Sequence, residues 1–425
     1  MSGNAFLKEL VTASKAGRPA GICSVCSANE YVIEAAMEET LASGGVCLIE
    51  ATANQVNQFG GYTGMTPADF VSFCRKIASR TGLVEERLIF GGDHLGPLVW
   101  SAEEEEPAME KAEALVRAYA AAGIQKIHID ASMRLGSDDP QAPLDPAVVA
   151  RRAARLCRAA EEARPEGELP LYVVGSEVPI PGGATEAEDG ISVTRGEDLR
   201  NEYELFKSAF LRQGLDDAWT RVIAVVVQPG VEFGDDQVFL YNRSNAAELI
   251  ACARTLDGIV LEGHSTDYQS DRALREMRED GIAILKVGPA LTYAFREALF
   301  ALERIEREMN PCAPAGGYSD FSAVLDRVMC QNPGNWIKHY HGEPYRVALM
   351  RKYSLSDRSR YYLDNPEVQD AIRRLFRNFN AAPCPTGLLA QFLPRQAEAI
   401  IAGTLDTAAE AIVKENIKYV LRSYQ

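Results

Sequence analysis

The chain has 425 residues, of which 47% are hydrophobic and 24% charged, a composition typical of globular proteins with a large core. Acidic residues outnumber basic ones by 60 to 44, and the formal net charge of −16 argues against nucleic acid and anionic membranes as partners. The first residues lack a signal-peptide pattern, no apolar run reaches membrane-span length, and the nine cysteines are an odd number scattered through apolar segments. We therefore expect a cytoplasmic protein with reduced thiols.

Short apolar segments recur along the chain, and each ends in small or polar residues. Near-continuous apolar character is typical of parallel strands that are covered on both faces. The predicted strands are 21–26, 46–52, 88–94, 126–132, 171–177, 221–228, 258–264 and 284–288.

Helical segments separate these strands. Residues 27–30 are a predicted capping box for the first helix, and residues 66–69 open another helix with proline at its first position. Residues 107–123 and 197–214 have helical spacing and end at glycine.

The alternation predicts an α/β protein, a (β/α)8 TIM barrel over residues 1–309. Residues 310–425 are predicted to form a C-terminal helical extension packed on the barrel. The alternative is a doubly wound open sheet, but no glycine fingerprint for a dinucleotide follows the first strand. We expect no nucleotide cofactor.

The segment 91–97, GGDHLGP, ends the third predicted strand. It places Asp93 and His94 at the carboxyl end of the strand, where the active site of a TIM barrel lies. The two glycines before them allow other groups to approach the backbone closely.

Histidine is rare in this chain, yet His94, His128 and His264 fall at or near predicted strand ends. His94, Glu177 and His264, with Asp130 as a further candidate, could bind a divalent metal of the Zn or Mn/Mg type and leave a position open for substrate. The alternative is a hydrogen-bonded polar cluster without metal.

Lys286, in the eighth strand, allows two interpretations: a Schiff-base lysine, or an ion-paired structural lysine, which we favour. Cys23 and Cys26 have the spacing of a redox or zinc pair, but no second pair exists and a strand directs alternate residues to opposite faces. We expect buried thiols.

Backbone amides after the seventh and eighth strands commonly bind phosphate in TIM barrels. The extension adds two arginines in a tyrosine-rich stretch, 353–362, which we interpret as a cap over the barrel mouth or as a helix face with internal ion pairs. The predicted substrate- and phosphate-binding residues are Asn54, Gln55, Ser265, Lys286, Gly288, Arg358 and Arg360.

Specific motifs cover essentially the whole chain, and together they resemble the Z-type subunit of D-tagatose-1,6-bisphosphate aldolase. The resemblance implies a role in galactitol, tagatose or N-acetylgalactosamine catabolism. Members of that family are described as non-catalytic subunits supporting a Y-type catalytic aldolase, as tagatose-6-phosphate kinases and as sugar-phosphate 4-epimerases. The motifs are residues 23–28, 50–67, 91–97, 128–132, 178–183, 227–232, 264–269, 286–292 and 353–362.

Y-type aldolases are metal-dependent TIM barrels with Asp-His after the third strand. The resemblance implies that Asp93 moves a proton and His94 binds the metal, with Glu177 and His264 as further matches. A second late histidine of those enzymes has no counterpart here, and Asp130 is the carboxylate that could replace it. The predicted catalytic residues are therefore Asp93, Glu177 and Asp130.

A kinase is the weakest interpretation, because the chain has no glycine-rich nucleotide loop followed by lysine. Inversion at C4 of a ketose needs aldolase-like bond cleavage, because C4 is not adjacent to the carbonyl. We expect a metal-dependent homo-oligomeric enzyme that converts tagatose 6-phosphate to fructose 6-phosphate. The alternative is a non-catalytic subunit with a Y-type aldolase as partner.

Overall fold

A closed parallel barrel of eight strands forms the centre of the molecule, as the sequence predicts. The computed structural model describes residues 2–167, 169–176 and 191–425. The strands within these ranges are β1 Ile22–Cys26, β2 Cys47–Thr52, β3 Leu88–Leu95, β4 Lys126–Ile129, β5 Leu171–Val174, β6 Val222–Val227, β7 Glu232–Phe233, β8 Val238–Phe239, β9 Val260–Gly263 and β10 Ile282–Val287. The barrel order is β1-β2-β3-β4-β5-β6-β9-β10, while β7 and β8 form a small antiparallel hairpin that the sequence analysis did not predict.

The helices surround the barrel and continue beyond it. Those of the first 309 residues are α1 Gly3–Lys15, α2 Glu30–Ser43, α3 Pro67–Thr81, α4 Glu105–Ala121, α5 Pro146–Ala163, α6 Gly196–Arg212, α7 Asp216–Trp219, α8 Ala247–Arg254, α9 Asp271–Glu279 and α10 Pro289–Met309. The later ones are α11 Phe321–Gln331, α12 Pro344–Tyr353, α13 Pro366–Phe379, α14 Thr386–Phe392, α15 Pro394–Ile401 and α16 Ala409–Arg422. No helix in the described ranges is long and apolar enough to cross a membrane.

Two helix starts differ from the predicted ones. The side chain of Asn29, and not that of Ser27, accepts the first free amides of α2, so the helix begins at Glu30. Helix α4 begins at Glu105 and contains Pro107 in its first turn, where proline costs no hydrogen bond. The predicted start of α3 is confirmed, because Thr66 and Asp69 cap each other reciprocally.

The helices after α10 share one continuous apolar core with the barrel. A buried ion pair fixes this extension above the barrel mouth: Arg296 Nε, on α10, lies 2.8 Å from Asp357 Oδ1, and Thr292 Oγ1 donates to Asp357 Oδ2 at 2.6 Å. Tyr268 Oη donates to the carbonyl of Leu355 at 2.6 Å. These contacts hold the 3-10 turn Arg358–Tyr362 beside the carboxyl ends of the strands.

We expect Asp357→Ala to lower the free energy of unfolding by about 3–5 kcal/mol, because Arg296 would remain buried and unpaired. Urea denaturation followed by circular dichroism measures the loss. The matched control is Asp370→Ala, which breaks an exposed pair with Arg373 and should cost less than about 1 kcal/mol. Equal losses in the two variants would contradict the proposed anchor.

Candidate functional site

Residues from neighbouring strands pack closely against the carboxyl end of β3. A Cβ atom on Gly91 would lie 2.5 Å from Cγ of Glu50, and one on Gly96 would lie 1.6 Å from the carbonyl oxygen of Asp130. His94, between these glycines, has φ of 48°, a conformation that costs energy in a residue other than glycine. The glycines of the GGDHLG segment therefore make room for the groups that surround Asp93 and His94.

Two buried lysines connect carboxylates from different strands. Lys126 Nζ lies 2.7 Å from Glu50 Oε1 and 2.7 Å from Glu262 Oε2. Lys286 Nζ lies 2.9 Å from Glu50 Oε2 and 3.3 Å from Glu262 Oε1, and it also contacts Asp93. We call these five residues the buried ion network.

Burial alone would lower the pKa of Lys286, but the three carboxylates outweigh it and hold that pKa well above its usual range. Burial would raise the pKa of Asp93, but the charges of His94 and Lys286 hold that pKa well below its usual range. Lys286 is therefore a protonated, ion-paired side chain in this arrangement, and its amine has no free lone pair for a Schiff base.

Three imidazoles form a triangle above the ion network. The ring centroids of His94, His128 and His264 lie 4.9 to 5.3 Å apart. Burial lowers the pKa of His128, and burial together with the Lys286 ammonium lowers the pKa of His264 to about 3. These two rings are therefore neutral, the form in which histidine binds metal.

Each imidazole of the triangle is oriented by a carboxylate. His94 Nδ1 lies 3.0 Å from Asp130 Oδ2, His128 Nδ1 lies 2.8 Å from Asp93 Oδ1, and His264 Nε2 lies 3.0 Å from Glu262 Oε1. Asp130 Oδ1 also accepts from the amide of Ser132 at 3.0 Å. Such pairs fix the orientation of each ring.

The structure contains a group of donors that fits a divalent cation. Asp93, His128, Glu262 and His264 each offer one atom, and these atoms lie within 4.8 Å of one another. His128 Nε2 is buried and has no hydrogen-bond partner among the described residues. Imidazole and carboxylate ligands suit zinc and other divalent transition metals.

This donor group differs from the predicted ligand set of His94, Glu177 and His264. His264 belongs to both sets, whereas His94 lies beside the group and is hydrogen-bonded to Asp130. Glu177, also predicted to be catalytic, lies outside the described residues, as does the 178–183 motif.

A cavity opens from the ion network to the surface between the strand ends and the extension. Six of the seven predicted substrate- and phosphate-binding residues line it: Asn54, Gln55, Ser265, Lys286, Gly288 and Arg360. Arg358 does not; its Nη1 donates to the carbonyl of Asn335 at 3.1 Å inside the extension. Cys26 also lines the cavity, but burial raises the pKa of its thiol well above the usual range, and both Cys23 and Cys26 are free.

The predicted phosphate amides already have an acceptor. The amides of Gly288 and Ala290 donate to Asp267 Oδ1 at 3.0 and 2.8 Å. Burial raises the pKa of Asp267 to about 6, against the effect of the two amide donors. The carboxylate is therefore ionised at neutral pH.

The family model described as D-tagatose-1,6-bisphosphate aldolase subunit GatZ/KbaZ-like matches residues 7–425. The chain belongs to this family. The D-tagatose-1,6-bisphosphate aldolase subunits GatZ of Salmonella gallinarum and Klebsiella pneumoniae are each 48% identical to it over 421 residues, which are 99% of this chain and 98% of each relative.

Solved structures place this GatZ/KbaZ-like chain in the same fold. A "probable tagatose 6 phosphate kinase" from Sinorhizobium meliloti 1021 is 41% identical and superposes with a TM-score of 0.87, covering 95% of this chain and 99% of that one. The fructuronate-tagaturonate epimerase UxaE from Cohnella laeviribosi is 12% identical with a TM-score of 0.50, covers 96% of this chain and 81% of that one, and shares the fold alone.

Sequence reasoning assigned no role to several residues of this GatZ/KbaZ-like site. Glu50, Lys126, Glu262 and Asp267 are not among the predicted site residues, and His128 is predicted only to lie at or near a strand end. A signal exists for three of them, because Glu50, Lys126 and Glu262 are charged residues inside otherwise apolar strands. Such residues are buried only when they are paired.

We expect Gly96→Ala to destabilise the site end of β3, because the new Cβ would overlap the carbonyl of Asp130 and force the backbone apart. Overpacking of this kind costs about 1–3 kcal/mol or more, which thermal unfolding measures. Gly234→Ala is the matched control, since a Cβ there meets no atom within 4 Å. A Gly96→Ala protein as stable as Gly234→Ala would contradict the close approach.

Proposed function

We propose that this chain serves tagatose metabolism as a Z-type subunit of D-tagatose-1,6-bisphosphate aldolase, with a Y-type aldolase chain as its partner. The observation that carries this proposal is the 48% identity to GatZ subunits over nearly the full length of both chains. The comparisons support the subunit role better than the C4 epimerase that the sequence analysis placed first.

A second candidate function is C4 epimerisation of tagatose 6-phosphate by this chain itself. It is favoured by the convergence of Asp93, Lys286 and the neutral rings of His128 and His264 at one end of the barrel. A subunit that only supported another enzyme would have no need for buried ionisable groups facing an open cavity. Both functions belong to tagatose metabolism and concern phosphorylated ketohexoses.

The epimerisation can be written with these residues. The Asp93 carboxylate accepts the proton of the C4 hydroxyl, the C3–C4 bond breaks, and its electron pair moves to C3 and onto the C2 carbonyl as an enediolate. The Lys286 ammonium, next to Asp93, stabilises that negative charge. The glyceraldehyde 3-phosphate fragment then rotates, so that the opposite face of its aldehyde group is presented to C3. C3 attacks the aldehyde carbon, and Asp93 returns the proton to the new C4 alkoxide.

The excess of negative charge among the buried groups around Asp93 favours the binding of a divalent cation there. In the described part of the chain, the carboxylates of Glu50, Asp93, Asp130 and Glu262 lie among the ammonium groups of Lys126 and Lys286 and the imidazole of His94, whose pKa is raised by Asp93 and Asp130. With His94 protonated, this leaves an excess of one negative charge. Burying unbalanced charge is costly. We propose that His128, Glu262 and His264, with Asp93 beside them, hold the ion, which when bound supplies Lewis acidity at the ketose carbonyl.

We expect the purified chain to bind about one divalent ion, and His128→Ala and His264→Ala to lose it because each removes an imidazole donor. Equilibrium dialysis against Zn²⁺ or Mn²⁺ with elemental analysis gives the content. His341→Ala is the control, since His341 is exposed and remote from this group. Unchanged metal content in both test variants would contradict the assignment.

The two functions are separated by assaying the chain with and without a Y-type aldolase. A subunit should raise the activity or melting temperature of the aldolase, because it binds the folded enzyme. An epimerase should convert tagatose 6-phosphate to fructose 6-phosphate alone, and Asp93→Asn should slow it by about 10²–10⁴-fold. If the chain by itself does not convert tagatose 6-phosphate but activates the aldolase, the subunit function is supported. If the chain by itself converts tagatose 6-phosphate and Asp93→Asn loses this activity, the epimerase is supported.

A further inference from the structure

The start of α10 faces the cavity, and its backbone amides already bind an anion, the carboxylate of Asp267. The helix spans 21 residues, and the amides of Gly288 and Ala290 point to one carboxylate oxygen of Asp267. Proline occupies position 289 and has no amide hydrogen to offer. Asp267 is 2% exposed and lines the cavity, so its carboxylate belongs to the inner wall of the mouth.

In TIM barrels this location, after the last strand and at the start of a helix, commonly binds a phosphate through backbone amides and the positive end of the helix dipole. Here both donors are used by the chain's own carboxylate. A phosphate entering the same place would have to displace Asp267 from two hydrogen bonds. It would also meet the negative charge of Asp267 in a buried setting, where like charges repel strongly.

Arg360 provides a different anchor in the same cavity. Its Nη1 donates to the carbonyls of Ser356 and Asp357 at 2.5 and 2.9 Å, and its Nη2 donates to Tyr361 Oη at 2.9 Å. These contacts hold the guanidinium at the cavity wall. In the described part of the cavity, Arg360 is the cation that the extension supplies, Lys286 is paired with carboxylates, and the amide pair of α10 is already satisfied.

We propose that Asp267 determines substrate specificity: it is an internal anion that fills the α10 amide site, so that the cavity takes a ketohexose with one phosphate and rejects a 1,6-bisphosphate. The inference rests on the second candidate function, because it assumes that the cavity of this chain itself binds a ketohexose monophosphate. It assigns the single phosphate to Arg360 and an uncharged end of the sugar to the side of Asp267.

The test compares Asp267→Ala, which frees both amides, with Asp267→Asn, which keeps an oxygen acceptor but removes the charge. Isothermal titration with inorganic phosphate should show binding about tenfold tighter in Asp267→Ala than in the wild type, the size expected for a helix N-terminal anion site. Asp271→Ala, which removes an exposed carboxylate from the start of α9, should behave like the wild type. No gain of phosphate binding in Asp267→Ala would overturn the proposal.

The same titrations with ketohexose 6-phosphate and 1,6-bisphosphate measure selectivity. The wild type should prefer the monophosphate, and this preference should shrink by about tenfold in Asp267→Asn, because charge repulsion is gone. An unchanged ratio in a folded Asp267→Asn protein would overturn the role of the charge. If the wild type binds neither sugar but Asp267→Ala gains inorganic phosphate, the sugar assignment fails while the internal anion is upheld.

Discussion

The buried ion network is the interaction on which the rest of the site depends. Its members come from β2, β3, β4, β9 and β10, and each is at most 4% exposed. Charged groups at such depth persist only when they are paired, so each lysine requires its carboxylates and each carboxylate requires a lysine. The pairing also sets the protonation states of the protein without substrate: Lys286 is an ammonium and Asp93 is a carboxylate. The groups available for proton transfer and for binding negative charge are therefore set by contacts within the barrel.

The cavity above this network is built from two parts of the chain. Strand ends provide His94 and His264, while the extension provides Arg360 and Tyr361. The pair between Arg296 and Asp357 joins the parts, so that a guanidinium far along the sequence reaches the barrel mouth. In this way the extension contributes to the lining of the cavity as well as to the apolar core, and its loss would leave the cavity without Arg360.

The family assignment and the geometry answer different questions. The family match over residues 7–425 and the 48% identity to GatZ subunits place the chain in the GatZ/KbaZ-like family. The cavity is lined by the ionisable groups of Asp93, His94, His264 and Lys286. The Asp267 carboxylate, held by the amides of Gly288 and Ala290, adds a negative charge to the inner wall of that cavity.

The sequence by itself determined the barrel, because strands buried on both faces leave apolar runs whose number and spacing are visible without coordinates. It also located Asp93, His94 and His264, since polar residues that follow such runs collect at one end of a parallel barrel. Only the tertiary structure could decide which of these groups meet. Contacts between segments distant in the chain decide several features of the site. They set the partners of Lys286, the orientation of His128, the occupation of the Gly288 amide by Asp267 and the burial of Arg358 in the extension. Local sequence patterns do not specify such contacts, because the contacts form only when the barrel closes and its ends pack against the extension.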